Sequence, residues 1–193
     1  MFHPFDILTL DNGARLIFTP CPGTRGVPLA NSLKSLKEAG AQAVITMMTL
    51  AELSENEADA LPSLCADFYM DWFHLPVEDS CAPEAPFEQA FAREKTNLLA
   101  IVRSGGTMVI HCHGGSGRTG MMAAILMLES GYLPAQVKKQ VQLIRPKSLT
   151  SPVQVSYLNR RYGYQQQRHN GQTALPVETY PSGANLSPDG PGA

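Results

Sequence analysis

The sequence lacks a long hydrophobic segment and any concentration of positive charge. No apolar run among its 193 residues reaches roughly 18 residues, the length at which a membrane-spanning helix is predicted. Residues 1–6 show no basic region followed by an apolar block, so no cleaved secretion signal is predicted. The formal net charge is −2, which disfavours nucleic acid or an acidic membrane as the main partner. We therefore expect a cytoplasmic protein that binds no nucleic acid and does not insert into a membrane.

Cysteine is also scarce, and its four positions form no Cys-x-x-Cys pair: Cys21, Cys65, Cys81 and Cys112. A disulfide framework is not expected in a domain of this size, and a reducing compartment fits better. The run His111, Cys112, His113 does not indicate zinc, because successive strand residues point to opposite faces. The sequence therefore predicts no metal and no other cofactor.

One stretch of the chain combines a short apolar strand, a glycine-rich loop and a helix. Residues 107–110 predict the strand and residues 118–130 the helix. Between them, Gly114, Gly115 and Gly117 allow the backbone to curl tightly, because no Cβ is in the way. The N–H groups of such a loop, together with a helix N-terminus, attract an anion. We expect this loop to hold a phosphate-like group.

Cys112 and Arg118 bracket this loop, with five residues between them. A guanidinium can bind two oxygens of a tetrahedral anion with its planar fork, which a lysine cannot do. A cation and a helix N-terminus also favour the thiolate form of a nearby cysteine. The pattern thus predicts a sulfur nucleophile aimed at a phosphate that is held by backbone amides and one arginine.

Residues 111–120, HCHGGSGRTG, resemble the signature of the cysteine-based protein tyrosine and dual-specificity phosphatases. The resemblance implies that Cys112 is the nucleophile and that Thr119 supports its thiolate through a hydroxyl hydrogen bond. It also implies that His111 shapes the loop from behind. The expected phosphate-binding residues are His113, Gly114, Gly115, Ser116, Gly117 and Arg118.

The resemblance extends over roughly residues 15–165 and is greatest to the dual-specificity branch of the cyclin-dependent kinase inhibitor 3 type. Pro22-Gly23-Thr24-Arg25 and Arg145-Pro146 match elements of that branch. Gln154 matches a glutamine in its last helix, and we expect this side chain to support the loop.

A cysteine phosphatase also needs an acid that protonates the leaving oxygen, a contribution of roughly 10²–10⁴ in rate. Glu78, Asp79 and Glu84 are the candidates, in a predicted loop over residues 77–86. The resemblance implies Asp79, with Glu78 as its rival. The same Asp79 would act as the base when water hydrolyses the phosphocysteine.

Predicted strands, one of them over residues 68–75, alternate with helices along the first two thirds of the chain. The first predicted helix covers residues 32–39, and Thr49 followed by Glu52 predicts a capping box at the start of another. Three helices follow, the last predicted over residues 152–167.

This order of strands and helices predicts an α/β fold with a mostly parallel central sheet flanked by helices. The resemblance implies that this fold is like that of protein tyrosine phosphatases, at dual-specificity size. The signature loop would lie at the carboxyl end of a central strand. We expect a phosphatase domain over residues 1–169 and a disordered tail rich in Gly and Pro over residues 170–193.

The sequence favours a protein phosphatase that acts on phosphotyrosine, with phosphoserine and phosphothreonine left open. Its expected partner is a phosphorylated protein, and we expect a monomer. The alternative is a phosphoinositide or other small phosphomonoester phosphatase. A phosphoinositide phosphatase would favour lysines in the loop, where His113, Gly115 and Ser116 stand. A sulfurtransferase would use the same loop without an upstream acid. A silent phosphate-binding module would have lost Cys112, Arg118 or the acid, and all three are present.

Overall fold

The computed structural model describes residues 2–165 of the chain. The predicted tail over residues 170–193, and the domain boundary at residue 169, lie outside the described residues and stay predictions. The secondary-structure elements in chain order are β1 Asp6–Thr9, β2 Arg15–Pro20, α1 Leu29–Glu38, β3 Ala43–Thr46, α2 Leu50–Glu55, α3 Leu61–Asp67, β4 Asp71–His74, α4 Ala85–Arg103, β5 Thr107–Cys112, α5 Gly117–Glu129, α6 Pro134–Ile144 and α7 Pro152–Tyr162.

A five-stranded sheet forms the centre of the domain, with the strand order β1-β2-β5-β3-β4. The pairs β2–β5, β3–β5 and β3–β4 are parallel, and only β1 runs antiparallel, as the second arm of a hairpin with β2. The predicted α/β fold with a mostly parallel sheet is thus confirmed. All six residues of β5 are buried, as expected for a central strand that is covered on both faces.

Helices cover the two faces of the sheet unequally. On one face Phe18 and Ile110 pack against residues of α4 to α7 in the larger core cluster. On the other face Ile17 and Val109 pack with Leu33 of α1 and with residues of α3. Helix α5 is buried along most of its length, so the residues at its first turn are fixed by core packing. None of the helices in residues 2–165 is long and apolar enough to cross a bilayer.

Three predicted boundaries were wrong, each for a local backbone reason. The strand predicted over residues 68–75 begins only at Asp71, because Phe68 ends α3 and Tyr69 adopts a left-handed φ of 53°. The last helix, predicted to reach residue 167, ends at Tyr162, where Gly163 adopts a left-handed conformation. The first helix begins at Leu29 rather than residue 32, directly after Pro28, because the carbonyl of Pro28 already accepts a helical hydrogen bond from the N–H of Ser32 at 2.9 Å.

Candidate active site

Cys112 is the last residue of β5, and its sulfur lies at the start of the glycine-rich loop. The residue is only 4% exposed. The sulfur accepts hydrogen bonds from the backbone N–H of Gly115 at 3.3 Å and from the hydroxyl of Thr119 at 3.2 Å. Both donors stabilise negative charge on sulfur. The structure therefore places Thr119 where the resemblance implied a hydroxyl donor.

Gly115 presses the loop against the neighbouring strand β2. Its φ is +74°, and a Cβ at this position would lie 2.5 Å from the carbonyl carbon of Thr19 and 2.6 Å from the nitrogen of Pro20. Any larger residue would have to push the loop away from the sheet. Glycine is therefore required here both by the backbone conformation and by the close approach.

The carbonyl groups of the loop are held from outside by the segment that follows α6. The Nε of Arg145 donates to the carbonyl of Gly115 at 3.1 Å, and the hydroxyl of Ser148 donates to the carbonyl of Ser116 at 2.8 Å. Because a trans peptide unit points its N–H opposite to its C=O, these bonds turn the N–H groups of Ser116 and Gly117 toward the inside of the loop. This orientation is the one that a backbone cradle for an anion would require.

At the far end of the loop, Arg118 lies in the first turn of α5 and is 1% exposed. Its Nη1 and Nη2 donate to the two carboxylate oxygens of Glu52 at 2.7 and 2.9 Å, and Nη1 also donates to the carbonyl of Val77 at 2.9 Å. Its buried Nε has no hydrogen-bond partner among the described residues. The guanidinium is thus fixed on one side by Glu52 and keeps a free donor for an anion.

Glu52 is a site residue that the sequence analysis did not identify. It also closes a capping box at the start of α2, where its Oε2 accepts from the backbone N–H of Thr49 at 3.0 Å. Burial alone would raise the pKa of Glu52, but hydrogen bonds from Arg118 and Thr49 outweigh this effect and lower it. The carboxylate therefore stays charged beside the guanidinium.

Asp79 reaches the same guanidinium from the loop over residues 75–84, between β4 and α4. Its Oδ1 lies 2.9 Å from Nη2 of Arg118, although the side chain is 71% exposed. Glu78 and Glu84 are exposed, and neither forms an ion pair with another described residue. Of the three candidate acids, Asp79 is the one that the fold brings to Arg118.

His111 lies behind the loop, fully buried in β5. Its Nε2 lies 2.7 Å from the hydroxyl of Thr46 in β3, and that hydroxyl accepts from Nε1 of Trp72 in β4 at 2.8 Å. Burial lowers the pKa of His111 to about 3, so the imidazole is neutral. This position, away from the inside of the loop, agrees with the expected role in shaping the loop.

Gln154 lies at the start of α7, between the acid-bearing segment and the signature loop. It is 2% exposed, and its Nε2 lies 3.5 Å from the carbonyl of Cys81. A Cβ on Gly117 would lie 3.9 Å from both polar atoms of the amide. Its Oε1 has no partner among the described residues. The side chain is therefore placed where it can support either segment.

The other predicted loop residues surround the entrance. His113 and Gly114 are exposed, and the carbonyl of His113 accepts from the backbone N–H of Cys21 at 3.2 Å. Within residues 2–165 no group of three His, Cys, Asp or Glu side chains is placed to hold a metal ion. The site is thus built from one thiol, two acids, one buried arginine and a loop of backbone amides.

Known proteins are similar to this chain in sequence. Residues 27–180 match the family model PTP-SAK, described as Swiss Army Knife protein, DSP-PTPase phosphatase domain. Cyclin-dependent kinase inhibitor 3 of Sus scrofa is 31% identical over 107 residues, which are 55% of this chain and 48% of that protein. The same protein of Rattus norvegicus is 29% identical over 107 residues. The matched region spans about half the length of these curated relatives.

Solved structures share the fold. Kinase associated phosphatase, crystallised with its catalytic-site cysteine replaced by serine, superposes with a TM-score of 0.73 at 21% identity and covers 85% of this chain and 97% of that one. The structure of PTPMT1 gives a TM-score of 0.60 at 17% identity and covers 82% and 94%. The family match over residues 27–180 shows that the chain belongs to the DSP-PTPase phosphatase domain family of the cysteine-based phosphatases, and the solved structures agree with this in fold.

Proposed function

We propose that this protein hydrolyses phosphate esters on phosphorylated proteins, phosphotyrosine first, through a phosphocysteine intermediate. The observation that carries the proposal is the arrangement around one loop: the sulfur of Cys112 with donors at 3.2 and 3.3 Å, and Asp79 within 2.9 Å of Arg118. A nucleophile, an anion-binding fork and an acid are the three groups that this reaction requires.

In the first step the thiolate of Cys112 attacks phosphorus in line with the leaving oxygen. The sulfur–phosphorus bond forms as the bond from phosphorus to the leaving oxygen breaks, and Asp79, which enters this step as the protonated carboxylic acid, gives that oxygen its proton and becomes a carboxylate. The loop amides and Arg118 stabilise the charge on the three remaining phosphate oxygens. Asp79 has to exchange its contact with Arg118 for one with the leaving group, which its exposed position allows.

In the second step water attacks the phosphocysteine. The carboxylate of Asp79 takes a proton from this water, a new phosphorus–oxygen bond forms, and the sulfur–phosphorus bond breaks. The sulfur leaves with both electrons of that bond, so its negative charge must be stabilised again. The hydroxyl of Thr119, 3.2 Å from the sulfur, and the N–H of Gly115 supply this stabilisation.

The charges around the entrance support a protein substrate over a polyphosphorylated lipid. Glu78, Asp79 and Glu84 are exposed on one segment at the site, and residues 113–117 contain no lysine. A headgroup with additional phosphates would meet negative charge there at short range. Cyclin-dependent kinase inhibitor 3 and kinase associated phosphatase are named for kinases, which supports a phosphorylated protein as the substrate class.

Five parallel assays test the proposal. Phosphate release is measured from p-nitrophenyl phosphate, from phosphotyrosine and phosphothreonine peptides and from phosphatidylinositol 5-phosphate, and thiocyanate formation is measured from thiosulfate and cyanide. We expect the aryl phosphate and phosphopeptides to be hydrolysed, with kcat/KM on the phosphotyrosine peptide above that on the lipid. Cys112→Ser, which keeps the shape and removes the thiolate, is the matched control and should be inactive. Thiocyanate formation without phosphate release would overturn the proposal, and preference for the lipid would overturn the protein substrate.

A further inference from the structure

The N-terminal segment, residues 3–6, lies outside the region that matches the family, yet it contacts the groups that hold the signature loop. The family match begins at residue 27. His3 is 2% exposed, and Phe5 packs against the smaller core cluster. This segment is therefore fixed to the domain, although residues 3–5 precede β1 and only Asp6 belongs to it.

His3 holds the part of β2 on which Gly115 rests. Its Nε2 lies 2.6 Å from the hydroxyl of Thr19, which also lies 2.9 Å from the carbonyl of Pro4. A hydroxyl has one proton and a carbonyl can only accept. The proton of Thr19 therefore goes to a carbonyl, that of Pro4 at 2.9 Å or that of Pro20 at 3.2 Å, and the Nε2–H of His3 donates to Thr19. Burial lowers the pKa of His3, which agrees with this neutral form.

Asp6, in β1, holds the other partner of Gly115. Its carboxylate forms an ion pair with Nη1 of Arg145. The same guanidinium donates through Nη2 to the carbonyl of Phe18 at 3.2 Å and through Nε to the carbonyl of Gly115 at 3.1 Å. Arg145 thus ties β1, β2 and the signature loop together, and Asp6 is its anionic partner.

Both links meet at Gly115, whose N–H donates to the catalytic sulfur. The backbone of Thr19 lies directly under Gly115, so close that a Cβ would be 2.5 Å from it. Arg145 pulls the carbonyl of Gly115 outward, and the N–H of the same residue lies 3.3 Å from the sulfur of Cys112. A shift of either support would change the bond to the sulfur.

We propose that His3 and Asp6 are positioning residues of the phosphatase site, which set the curvature of the loop at Gly115 and thereby the N–H bond to Cys112. The inference rests on the proposed function for its catalytic consequence. Its structural part, the state of the sulfur, can be measured without turnover.

The test compares His3→Ala and Asp6→Asn with the wild-type chain. Each protein is treated with iodoacetamide near neutral pH, and the alkylation rate of each cysteine is read by peptide mapping. We expect Cys112 in both variants to react roughly threefold to tenfold more slowly, the effect of one weakened hydrogen bond to the thiolate. Exposed Cys81 should react at an unchanged rate and is the internal control. The kcat on a phosphotyrosine peptide should fall by a similar factor, with little change in KM.

Two further variants separate positioning from general destabilisation. His3→Gln keeps an N–H donor and should recover most of the Cys112 alkylation rate lost in His3→Ala. Asp11→Asn removes an exposed acid of the same hairpin, far from the loop, and should behave as wild type. Wild-type alkylation of Cys112 in both His3→Ala and Asp6→Asn would overturn the inference, as would equal losses in His3→Gln and His3→Ala. A wild-type chain without phosphatase activity would instead overturn the proposed function and leave the alkylation result standing.

Discussion

The carboxylate of Asp79 lies 2.9 Å from Nη2 of Arg118, so the proposed acid contacts the group that is proposed to bind the phosphate. Two anions, the carboxylate and the incoming phosphate, therefore compete for one guanidinium. The proposed reaction can proceed only if the phosphate replaces Asp79 at Arg118 and Asp79 moves to the leaving oxygen.

Asp79→Asn should lose roughly 10²–10⁴ in kcat on a phosphotyrosine peptide, because the phenol of tyrosine is a poor leaving group without a proton. The loss on p-nitrophenyl phosphate should be much smaller, since that leaving group is already activated. Removal of the competing charge should also strengthen inhibition by inorganic phosphate. Steady-state kinetics on both substrates, with phosphate as the inhibitor, measure all three effects.

Glu78→Gln is the matched control, since Glu78 is adjacent and exposed but forms no ion pair with Arg118. It should change kcat by less than about threefold, as expected for a substitution that removes no transition-state contact. If the leaving-group dependence appears in Glu78→Gln and not in Asp79→Asn, the acid has been assigned to the wrong residue.

Glu52→Gln should weaken both the fold and the site. The buried guanidinium of Arg118 would lose its charged partner, and hydrogen bonds to charged groups are worth about 1.5–3 kcal/mol. We expect the free energy of unfolding in urea to fall by about this amount, and kcat/KM to fall because Arg118 is less well oriented. Glu55→Gln, an exposed acid on the same helix, should change neither quantity. Equal effects of the two variants would show that the Arg118 contact contributes nothing.

Arg118→Lys should be severely impaired although it keeps the charge. The structure uses Nη1 and Nη2 to hold Glu52 in a two-point contact, and a lysine ammonium cannot keep this contact and present a further donor to phosphate in a fixed plane. We expect kcat/KM to fall by at least about 100-fold, the loss seen when a preorganised transition-state donor is removed. A near-normal kcat/KM in Arg118→Lys would contradict the requirement for the planar guanidinium of Arg118.

Gly115→Ala should distort the loop. The φ of +74° is unfavourable for alanine, and the added Cβ would lie 2.5 Å from the backbone of Thr19. Gly131→Ala supplies the comparison, because Gly131 also has a positive φ, +91°, but a Cβ there meets no atom within 4 Å. Each variant should lose about 1–2 kcal/mol of stability from the φ angle, but only Gly115→Ala should lose most of its kcat. Chemical denaturation and kinetics on the two variants separate the effect of the unfavourable φ angle from that of the clash with Thr19.

The stability of the protein should fall with decreasing pH before its carboxylates titrate. A histidine in the unfolded chain titrates near ~6.5, whereas burial lowers the pKa of His111 to about 3. Below pH ~6.5 the unfolded state therefore binds a proton that the folded state does not, which lowers the free energy of unfolding. His3, whose pKa is also lowered by burial, acts in the same direction. Glu52 adds to the loss only at lower pH, near and below the ordinary carboxylate range.

Urea unfolding at about pH 7.5, 6.5 and 5.5 measures this slope in the range where the histidines dominate. His111→Gln should be less stable than wild type at the highest of these values, because it changes a buried bond to Thr46, yet its stability should depend less steeply on pH. A stability that does not change over this range, or an equal slope in the variant, would contradict the buried neutral imidazole.

The sequence was sufficient for the parts of the site that are contiguous in the chain. The signature over residues 111–120 predicted the loop, and the Thr49 to Glu52 spacing predicted a capping box that is present. The contact of Glu52 with Arg118 joins residues 66 positions apart, and nothing in the local pattern of either residue indicates it. Arg145 could be matched to a family element, but its bond to Gly115 depends on how the segment after α6 packs against the loop.

Glu52 serves two purposes with one carboxylate, the start of α2 and the orientation of Arg118. A substitution of Glu52 therefore affects both the start of α2 and the orientation of Arg118. Glutamine could keep the capping geometry and lose the charge, whereas aspartate could keep the charge on a side chain one methylene too short to reach. A substitution of Glu52 that changes the start of α2 therefore also changes the orientation of Arg118, so a redesign of α2 for heat tolerance also alters the proposed phosphate-binding site.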